Sequence, residues 1–191
     1  MKEKYKKKEI RILGIDDSPF DKFNDKEVLV IGVFYRGGNY PDGVLSTKVE
    51  IDGGDSTIKL IEMVNKSKFK SQLQCIMLDG IALGGFNVVN IEKLNSETGI
   101  PVIVVMRYYP DLKKMFDAMK KLGYDNKIKL IEKAGKIYKI YKIYIQIKGI
   151  GLEDAKEIIK ISSIHSYIPE PIRVAHLIGA GLVKGESKGK A

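Results

Sequence analysis

The strongest constraint on the fold is a change in the pattern of hydrophobic residues near residue 55. Three segments rich in β-branched and apolar residues come first, separated only by short turns, and they are Ile10–Asp16, Lys26–Arg36 and Gly43–Ile51. Close sequential strands of this kind favour an antiparallel meander. After them, helical patterns alternate with short apolar runs. The pattern predicts an α/β fold with a mixed sheet flanked by helices.

The second part of the chain is predicted to alternate helices and strands. A helix begins near Asp55 or Ser56, either of which is a suitable N-cap, and extends to about Lys70. The following segments are the strand Gln74–Leu78, the helix Val88–Thr98, the strand Pro101–Met106, the helix Asp111–Leu122, the strands Lys127–Glu132 and Lys136–Lys148, and the helices Gly151–Ser162 and Pro169–Leu182. Three antiparallel strands followed by helix, strand, helix and strand is the order of the ribonuclease H-like fold.

Composition excludes several classes of protein. Apolar residues make up 44% and charged residues 30% of the 191 residues, which excludes a collagen-like, mucin-like or wholly disordered chain. No apolar run approaches the roughly 20 residues that span a bilayer, and the N-terminus does not resemble a secretory signal. The single cysteine, Cys75, excludes an internal disulfide framework and a Cys-based zinc cluster. We expect a cytoplasmic protein with no membrane partner.

The net charge of +9 is typical of a protein that binds nucleic acid, but the distribution of the charge along the chain weakens that argument. Lysines are concentrated in short tails at residues 1–8 and 184–191, and the body of the chain is only mildly basic. We find no internal repeat and no low-complexity linker, so residues 1–191 are predicted to form one domain with basic tails.

Acidic residues mark the ends of two predicted strands. Asp16 ends the first strand and Asp79 follows the fourth. If these strands are parallel neighbours, the two side chains converge, and Asp55 at the start of the first helix enters from the same edge of the sheet. Carboxylates brought together repel each other unless a cation neutralises them, and oxygen ligands suit Mg²⁺ or Mn²⁺. Asp16, Asp55 and Asp79 therefore predict a metal site for phosphodiester hydrolysis.

Each of these acids also has a simpler interpretation. An Asp before Ser or Gly at a strand end is commonly a turn or cap residue. Asp17 and Asp52 lie nearby in the sequence, so the choice of Asp55 over Asp52 as the third acid stays open.

The turn after Asp79 is rich in glycine. Its glycines are Gly80, Gly84 and Gly85. They either hold a phosphate on backbone N–H groups before a helix, or only let the loop pass close to the sheet edge. The sequence matches neither of the common nucleotide-binding glycine motifs.

The last predicted helix carries three polar residues on one face. Glu170, Arg173 and His176 follow one another at spacings of three. They form either a helix salt bridge with an exposed histidine, or a site for phosphate binding and transition-state stabilisation. The other histidine, His165, has no such polar neighbours in the sequence and is expected to be structural or exposed.

The predicted strand Lys136–Lys148 alternates tyrosines with lysines. Tyr138, Tyr141 and Tyr144 stand among these lysines, where they are able to stack on bases. A half-buried strand with solvated lysines explains the same alternation, and we favour it.

Several longer motifs resemble the archaeal endonuclease dU family over essentially the whole chain. They are GIDDSPF, VEIDGGDST, LDGIALGGFNVV, PVIVVMR, IPEPIRVAHLIGAG and the ending KGESKGKA. That family is in turn similar to endonuclease V, a ribonuclease H-like nuclease that cuts near deaminated bases. The resemblance implies that Asp16 and Asp79 are catalytic, that Asp55 stands in place of a glutamate, and that Arg107 stands in place of a lysine.

The resemblance also covers substrate contacts. Glu170, Arg173 and His176 fall in the shared C-terminal motif, and Tyr40 stands in a segment that only partly matches the strand-separating wedge of endonuclease V. Two residues depart from the endonuclease V pattern: Asp55 is shorter than the glutamate, and Arg107 has a fixed fork and cannot act as a general base in place of the lysine.

The resemblance implies a Mg²⁺- or Mn²⁺-dependent endonuclease acting on DNA with a deaminated base, uracil being the expected one. An inosine-specific nuclease acting on RNA or DNA and a non-catalytic nucleic-acid-binding protein are the alternatives. The sequence does not determine the base, the choice of DNA or RNA, or the oligomeric state.

Overall fold

A computed structural model describes residues 9–188 of the chain. The strands are β1 (Arg11–Asp17), β2 (Glu27–Arg36), β3 (Tyr40–Glu50), β4 (Cys75–Asp79), β5 (Ala82–Leu83), β6 (Asn87–Val88), β7 (Val102–Met106), β8 (Tyr138–Ile140) and β9 (Ile143–Lys148). The helices are α1 (Ser56–Lys66), α2 (Ile91–Thr98), α3 (Leu112–Lys121), α4 (Asp125–Lys133), α5 (Leu152–Ser162) and α6 (Glu170–Lys184), with a short 3₁₀ helix at Lys70–Gln72.

Seven of the strands form one mixed sheet, in the order β3-β2-β1-β4-β7-β9-β8, over the described residues. β1, β2 and β3 form an antiparallel meander, and β4 and β7 continue the sheet parallel to β1. β9 pairs antiparallel with β7, and β8 pairs antiparallel with β9. The predicted α/β class, with antiparallel strands followed by parallel ones, is confirmed.

The two faces of the sheet have separate hydrophobic cores. Successive side chains of a strand point to opposite faces, so neighbours on β1 enter different cores. Leu13 packs in the core beneath α1 and α2, whereas Ile12 packs with Met77 in the core beneath α5. By the same alternation Asp16 follows Ile12, and Asp79 follows Met77. Both acids therefore extend from the face that carries α5 and α6.

Helix α6 approaches β1 unusually closely because a glycine faces it. A Cβ atom placed on Gly14 would lie 2.2 Å from the carbonyl carbon of Pro171, which is too close for any side chain. Further along the same helix, Gly179 lies against Ser18, with 2.7 Å between a virtual Cβ and the serine Oγ. A strand glycine that admits a neighbouring backbone thus fixes the position of α6 over β1.

Two sequence predictions are wrong in the region after β7. Residues 127–132 were expected to form a strand but belong to helix α4, in which Ile128 and Ile131 pack with Met119 of α3. The spacing of three between Ile128 and Ile131 fits a helix. Over so short a run, however, the apolar residues also fit a strand. The single strand expected at Lys136–Lys148 is a hairpin, β8 and β9, with a two-residue turn at Tyr141.

The whole predicted N-terminal tail, residues 1–8, and residues 189–191 of the predicted C-terminal tail lie outside the described residues. Among residues 9–188, no helix has the length and hydrophobicity that a membrane span requires.

Candidate active site

Four of the side chains predicted to be functional line one cleft where β1, β4 and β7 end. They are Asp16, Asp79, Arg107 and His176, and the cleft has a volume of about 480 Å³. The last residue of β1, Asp17, and the segment Ser18–Phe20 that follows it complete the lining. Parallel pairing of β1 with β4 brings the two acids together, and α6 brings the histidine to them.

Hydrogen bonds fix the carboxylate of Asp16. Its Oδ1 accepts the backbone N–H of Asp17 at 2.9 Å, and its Oδ2 lies 2.9 Å from Nδ1 of His176. On the other side of the cleft, Nη2 of Arg107 lies 3.6 Å from Oδ2 of Asp79. Each acid therefore has one basic neighbour, and the side chains of Arg107 and His176 stay about one-third exposed to the cleft.

Burial disfavours the charged form of both carboxylates. Burial, together with the negative charges of Asp79 and Asp17, raises the pKa of Asp16 to about 8. Burial also raises the pKa of Asp79, although Arg107 and His176 act in the opposite direction. A site that holds two such acids is short of positive charge.

These residues fit a divalent cation. Asp16 and Asp79 supply oxygen ligands, and Mg²⁺ is commonly held by one or two carboxylates together with substrate phosphate and water. The Oγ atom of Ser18 lies at the cleft, is buried, and has no hydrogen-bond partner among the described residues. Nothing in the sequence singled out this hydroxyl. No group of three or more acidic, histidine or cysteine side chains within residues 9–188 is arranged to hold a metal.

The metal-free protein is expected to lose stability as pH rises between about 4 and 8. The folded pKa of Asp16 is about 8 and its ordinary value is 3.8, so in this window the unfolded chain releases a proton that the folded protein keeps. Rising pH therefore favours unfolding. Urea unfolding in EDTA at several pH values, compared with Asp16→Asn, measures this contribution. An equal pH dependence in both proteins would contradict the raised pKa.

Asp55 is engaged away from the acidic pair. It precedes α1, which covers the opposite face of the sheet, and its Oδ1 accepts hydrogen bonds from the Glu50 backbone N–H at 3.1 Å and the Asn87 side chain at 2.7 Å. The alternative acid, Asp52, accepts the Phe86 backbone N–H at 2.7 Å. The structure thus brings neither Asp55 nor Asp52 into the cleft, because both belong to the loop on the α1 side.

Two of the three glycines after Asp79 use their N–H groups within the protein. The N–H of Gly80 donates to the Val105 carbonyl at 2.9 Å, and that of Gly84 donates to Oδ2 of Asp17 at 2.8 Å. Gly85 has a φ of 81° and leaves no room for a Cβ beside Asp52. The geometry supports the simpler interpretation, in which these glycines let the loop fold tightly against the sheet edge.

Glu170 and Arg173 form a separate ion pair, three to six residues before His176 on the same helix. Both Nε and Nη2 of Arg173 donate to Oε2 of Glu170, at 2.9 and 2.6 Å. Although burial opposes ionisation of Glu170, hydrogen bonds from Arg173 and His165 lower its pKa. The helix salt bridge is therefore present, and only His176 of this face reaches the cleft. His165 is exposed as expected, but its Nδ1 lies 3.2 Å from Oε1 of Glu170.

Tyr40 lies far from the acidic pair. It begins β3 at the β2–β3 turn, where Arg36 pairs with Arg11 at the start of β1, whereas Asp16 pairs with Ile31 near the other end of that strand. Five residues of strand, about 16 Å, separate the two positions. The structure does not bring Tyr40 to the cleft.

A mixed sheet in this strand order, with paired acids on its α5–α6 face, defines a ribonuclease H-like α/β protein. The Endonuclease dU family model matches residues 8–183, and the chain belongs to this family. A UPF0215 protein of Methanothermobacter thermautotrophicus is 50% identical over 190 residues, which cover 97% of this chain and 93% of that protein.

Two solved structures extend the comparison. A protein of unknown function from Archaeoglobus fulgidus is 45% identical, with a TM-score of 0.85 over 91% of this chain and 98% of that chain. Endonuclease V of Ciona intestinalis, solved with an inosine-containing 24mer DNA, is 18% identical, with a TM-score of 0.57 over 87% of this chain and 83% of that chain. The second likeness shows a shared fold.

Proposed function

We propose that the protein is a cytoplasmic, divalent-metal-dependent endonuclease that hydrolyses a phosphodiester in DNA containing a deaminated base. The supporting observation is the convergence of Asp16, Asp79, Arg107 and His176 in one cleft of a ribonuclease H-like sheet. Membership of the Endonuclease dU family supports the nuclease assignment.

Asp16 and Asp79 would hold the cation. A bound Mg²⁺ or Mn²⁺ supplies Lewis-acid activation of the phosphodiester and an acidified water nucleophile. The hydrogen bonds from Asp17 and His176 hold the Asp16 carboxylate in one orientation, so the ligand is preorganised. Asp55 stays a predicted third ligand that this arrangement does not include.

The basic residues would act on the phosphate. Arg107 offers a planar set of hydrogen-bond donors that matches two phosphate oxygens. It would bind the phosphate and stabilise the negative charge that develops on the phosphate oxygens in the transition state, as a hydrogen-bond donor only. His176 uses Nδ1 for Asp16, so exchange of a proton with the substrate falls to Nε2.

Uracil is the proposed base because the family is described as Endonuclease dU. Hypoxanthine is the second candidate, because the DNA bound to the Ciona intestinalis endonuclease V contains inosine. Phosphate contacts position a nucleic acid without reading its bases, so the four residues of the cleft do not choose between these substrates.

A panel of oligonucleotides tests the proposal. The protein is incubated with Mg²⁺, with Mn²⁺ or with EDTA, and with substrates that are identical except for one position: a normal base, uracil, hypoxanthine or ribo-inosine. We expect nicking of the uracil substrate in the presence of metal and none in EDTA. Preferred nicking of the hypoxanthine or ribo-inosine substrate would support the second candidate.

A single result would overturn the nuclease assignment. If the protein binds these oligonucleotides with salt-dependent affinity but cuts none of them with either metal, it is a nucleic-acid-binding protein on this fold.

A further inference from the structure

A second groove lies between the β8–β9 turn and the loop that joins α5 to α6. Its volume is about 520 Å³. Its lining comprises Tyr141, Lys160, Ser163, Ile164, His165, Ser166 and Tyr167. The two tyrosines are 59% and 51% exposed, and Nζ of Lys142 lies 4.5 Å from the ring centroid of Tyr167. The groove therefore offers aromatic rings with lysines beside them.

The backbone at Tyr141 is strained in a way that favours a function for its ring. Tyr141 has a φ of 53° in the two-residue turn between Ile140 and Ile143. Such turn positions favour glycine or asparagine, because a Cβ is disfavoured in the left-handed region. Burial of the Tyr141 ring does not compensate for this strain, because most of the residue is exposed. A bulky, exposed aromatic residue at such a position therefore marks Tyr141 as a candidate for a contact outside the protein.

The charge of the groove suits a polyanion. None of its seven lining residues is acidic, whereas Lys160 is exposed within it and Lys142 adjoins it. Glu170, the carboxylate that contacts His165 of the lining, is buried and already paired with Arg173. Exposed aromatic rings that alternate with lysines are the features that bind single-stranded nucleic acid.

The groove is connected to the cleft by one rigid element. His165 of the groove contacts Glu170 in the first turn of α6, and six residues further along the helix His176 contacts Asp16. At a rise of 1.5 Å per residue this separation along the helix is about 9 Å.

We propose that this groove binds unpaired nucleotides of the strand that is cut in the cleft. A base stacks on Tyr141, and neighbouring phosphates contact Lys142 and Lys160. This inference rests on the proposed nuclease function, because it makes the substrate partly single-stranded close to the cut.

Binding of a short oligonucleotide of normal bases, measured by fluorescence anisotropy in EDTA, tests the inference without cleavage. We expect Tyr141→Gly to weaken binding of the single strand by about tenfold, since stacking of one base contributes roughly 1–3 kcal/mol. Because glycine relieves the strained turn, the same variant is expected to unfold at an equal or higher temperature. Tyr141→Phe keeps the ring and is expected to bind like the wild type.

The lysines are tested through salt dependence. Lys160→Gln is expected to reduce the slope of log affinity against log salt for the single strand by about 0.7, the contribution of one phosphate contact. Lys66→Gln, on α1 on the opposite face of the sheet, is the matched control and is expected to leave the slope unchanged.

Two outcomes would overturn the groove proposal: full affinity in Tyr141→Gly, or an equal loss of affinity for the single strand and for a blunt duplex of the same sequence. Neither outcome depends on metal or on cleavage. If the protein cuts uracil-containing DNA but the Tyr141 and Lys160 variants bind the single strand like the wild type, the nuclease function stands and the groove proposal fails. If these variants bind the single strand more weakly but the protein cuts no substrate, binding in the groove stands and the nuclease function fails.

Discussion

Asp79→Asn is expected to reduce metal-dependent cleavage of uracil-containing DNA by about a thousandfold or more, while the protein stays folded. The substitution keeps the size of the side chain but removes the charge of one of the two proposed metal ligands, Asp16 and Asp79, in the cleft. A neutral amide does not balance a divalent cation, and loss of a single preorganised electrostatic group already reduces rates by a hundred- to a thousandfold. The measurement is the single-turnover nicking rate at saturating Mn²⁺.

The same variant is expected to be at least as stable as the wild type when metal is absent. Asp79 is one of the charges that raise the pKa of Asp16, so a neutral residue at 79 removes a repulsion between buried groups. Added Mn²⁺ is expected to raise the thermal midpoint of the wild type but not that of Asp79→Asn. Activity and stability would then change in opposite directions, as is typical of a functional site.

Asp117→Asn is the matched control, since Asp117 is an exposed acid on α3 outside the cleft. It is expected to cut and to respond to metal like the wild type. Undiminished nicking by Asp79→Asn would contradict the assignment of the cleft as the active site. The nicking rate of Asp55→Asn, measured in the same assay, shows whether Asp55 contributes to cleavage although it lies on the α1 side of the sheet.

Gly14→Ala is expected to destabilise the protein by about 1–3 kcal/mol and also to slow cleavage. The added Cβ would overlap the Pro171 backbone, so α6 has to move away from β1. This movement separates Nδ1 of His176 from Oδ2 of Asp16, which lie 2.9 Å apart in the wild-type structure. A displacement of about 1 Å at a reacting group costs on the order of a hundredfold in rate.

The chain offers a control on the same helix. A Cβ added at Gly181 meets nothing closer than 4.0 Å, so Gly181→Ala is expected to stabilise α6 by roughly 0.5–1 kcal/mol and to leave cleavage unchanged. Urea unfolding and single-turnover rates are measured for both variants. If Gly14→Ala were as stable and as active as the wild type, the close packing of α6 on β1 would not matter for the site.

The pairing of Asp16 with Asp79 was predictable because two simple rules act together. Parallel neighbouring strands end at the same edge of a sheet, and alternation along each strand decides the face. Both rules can be applied to the sequence once β1 and β4 are recognised as strands. The position of His176 was only partly predictable. The spacing of three residues shows that Glu170, Arg173 and His176 share one face of a helix, but it does not show that α6 packs against β1.

Other parts of the site depend on tertiary packing that local patterns do not encode. Asp55 follows β3 as expected, but α1 covers the opposite face of the sheet, and the hydrogen bond from Asn87 holds the carboxylate there. The glycine in β1 was visible in the sequence, yet its partner Pro171 is distant along the chain. The helix α4 was missed because Ile128 and Ile131 fit a strand as well as a helix over so short a run.

The parallel pairing of β1 with β4 also bears on how the protein folds. The β1–β2–β3 meander joins neighbouring segments, but the contact between Arg11 and Gln74 closes a separation of 63 residues. Such distant pairings carry a larger entropic barrier than local hairpins. Asp16 and Asp79 belong to the two partners of this long-range pairing, so a half-folded chain in which β1 and β4 have not yet paired lacks the assembled cleft.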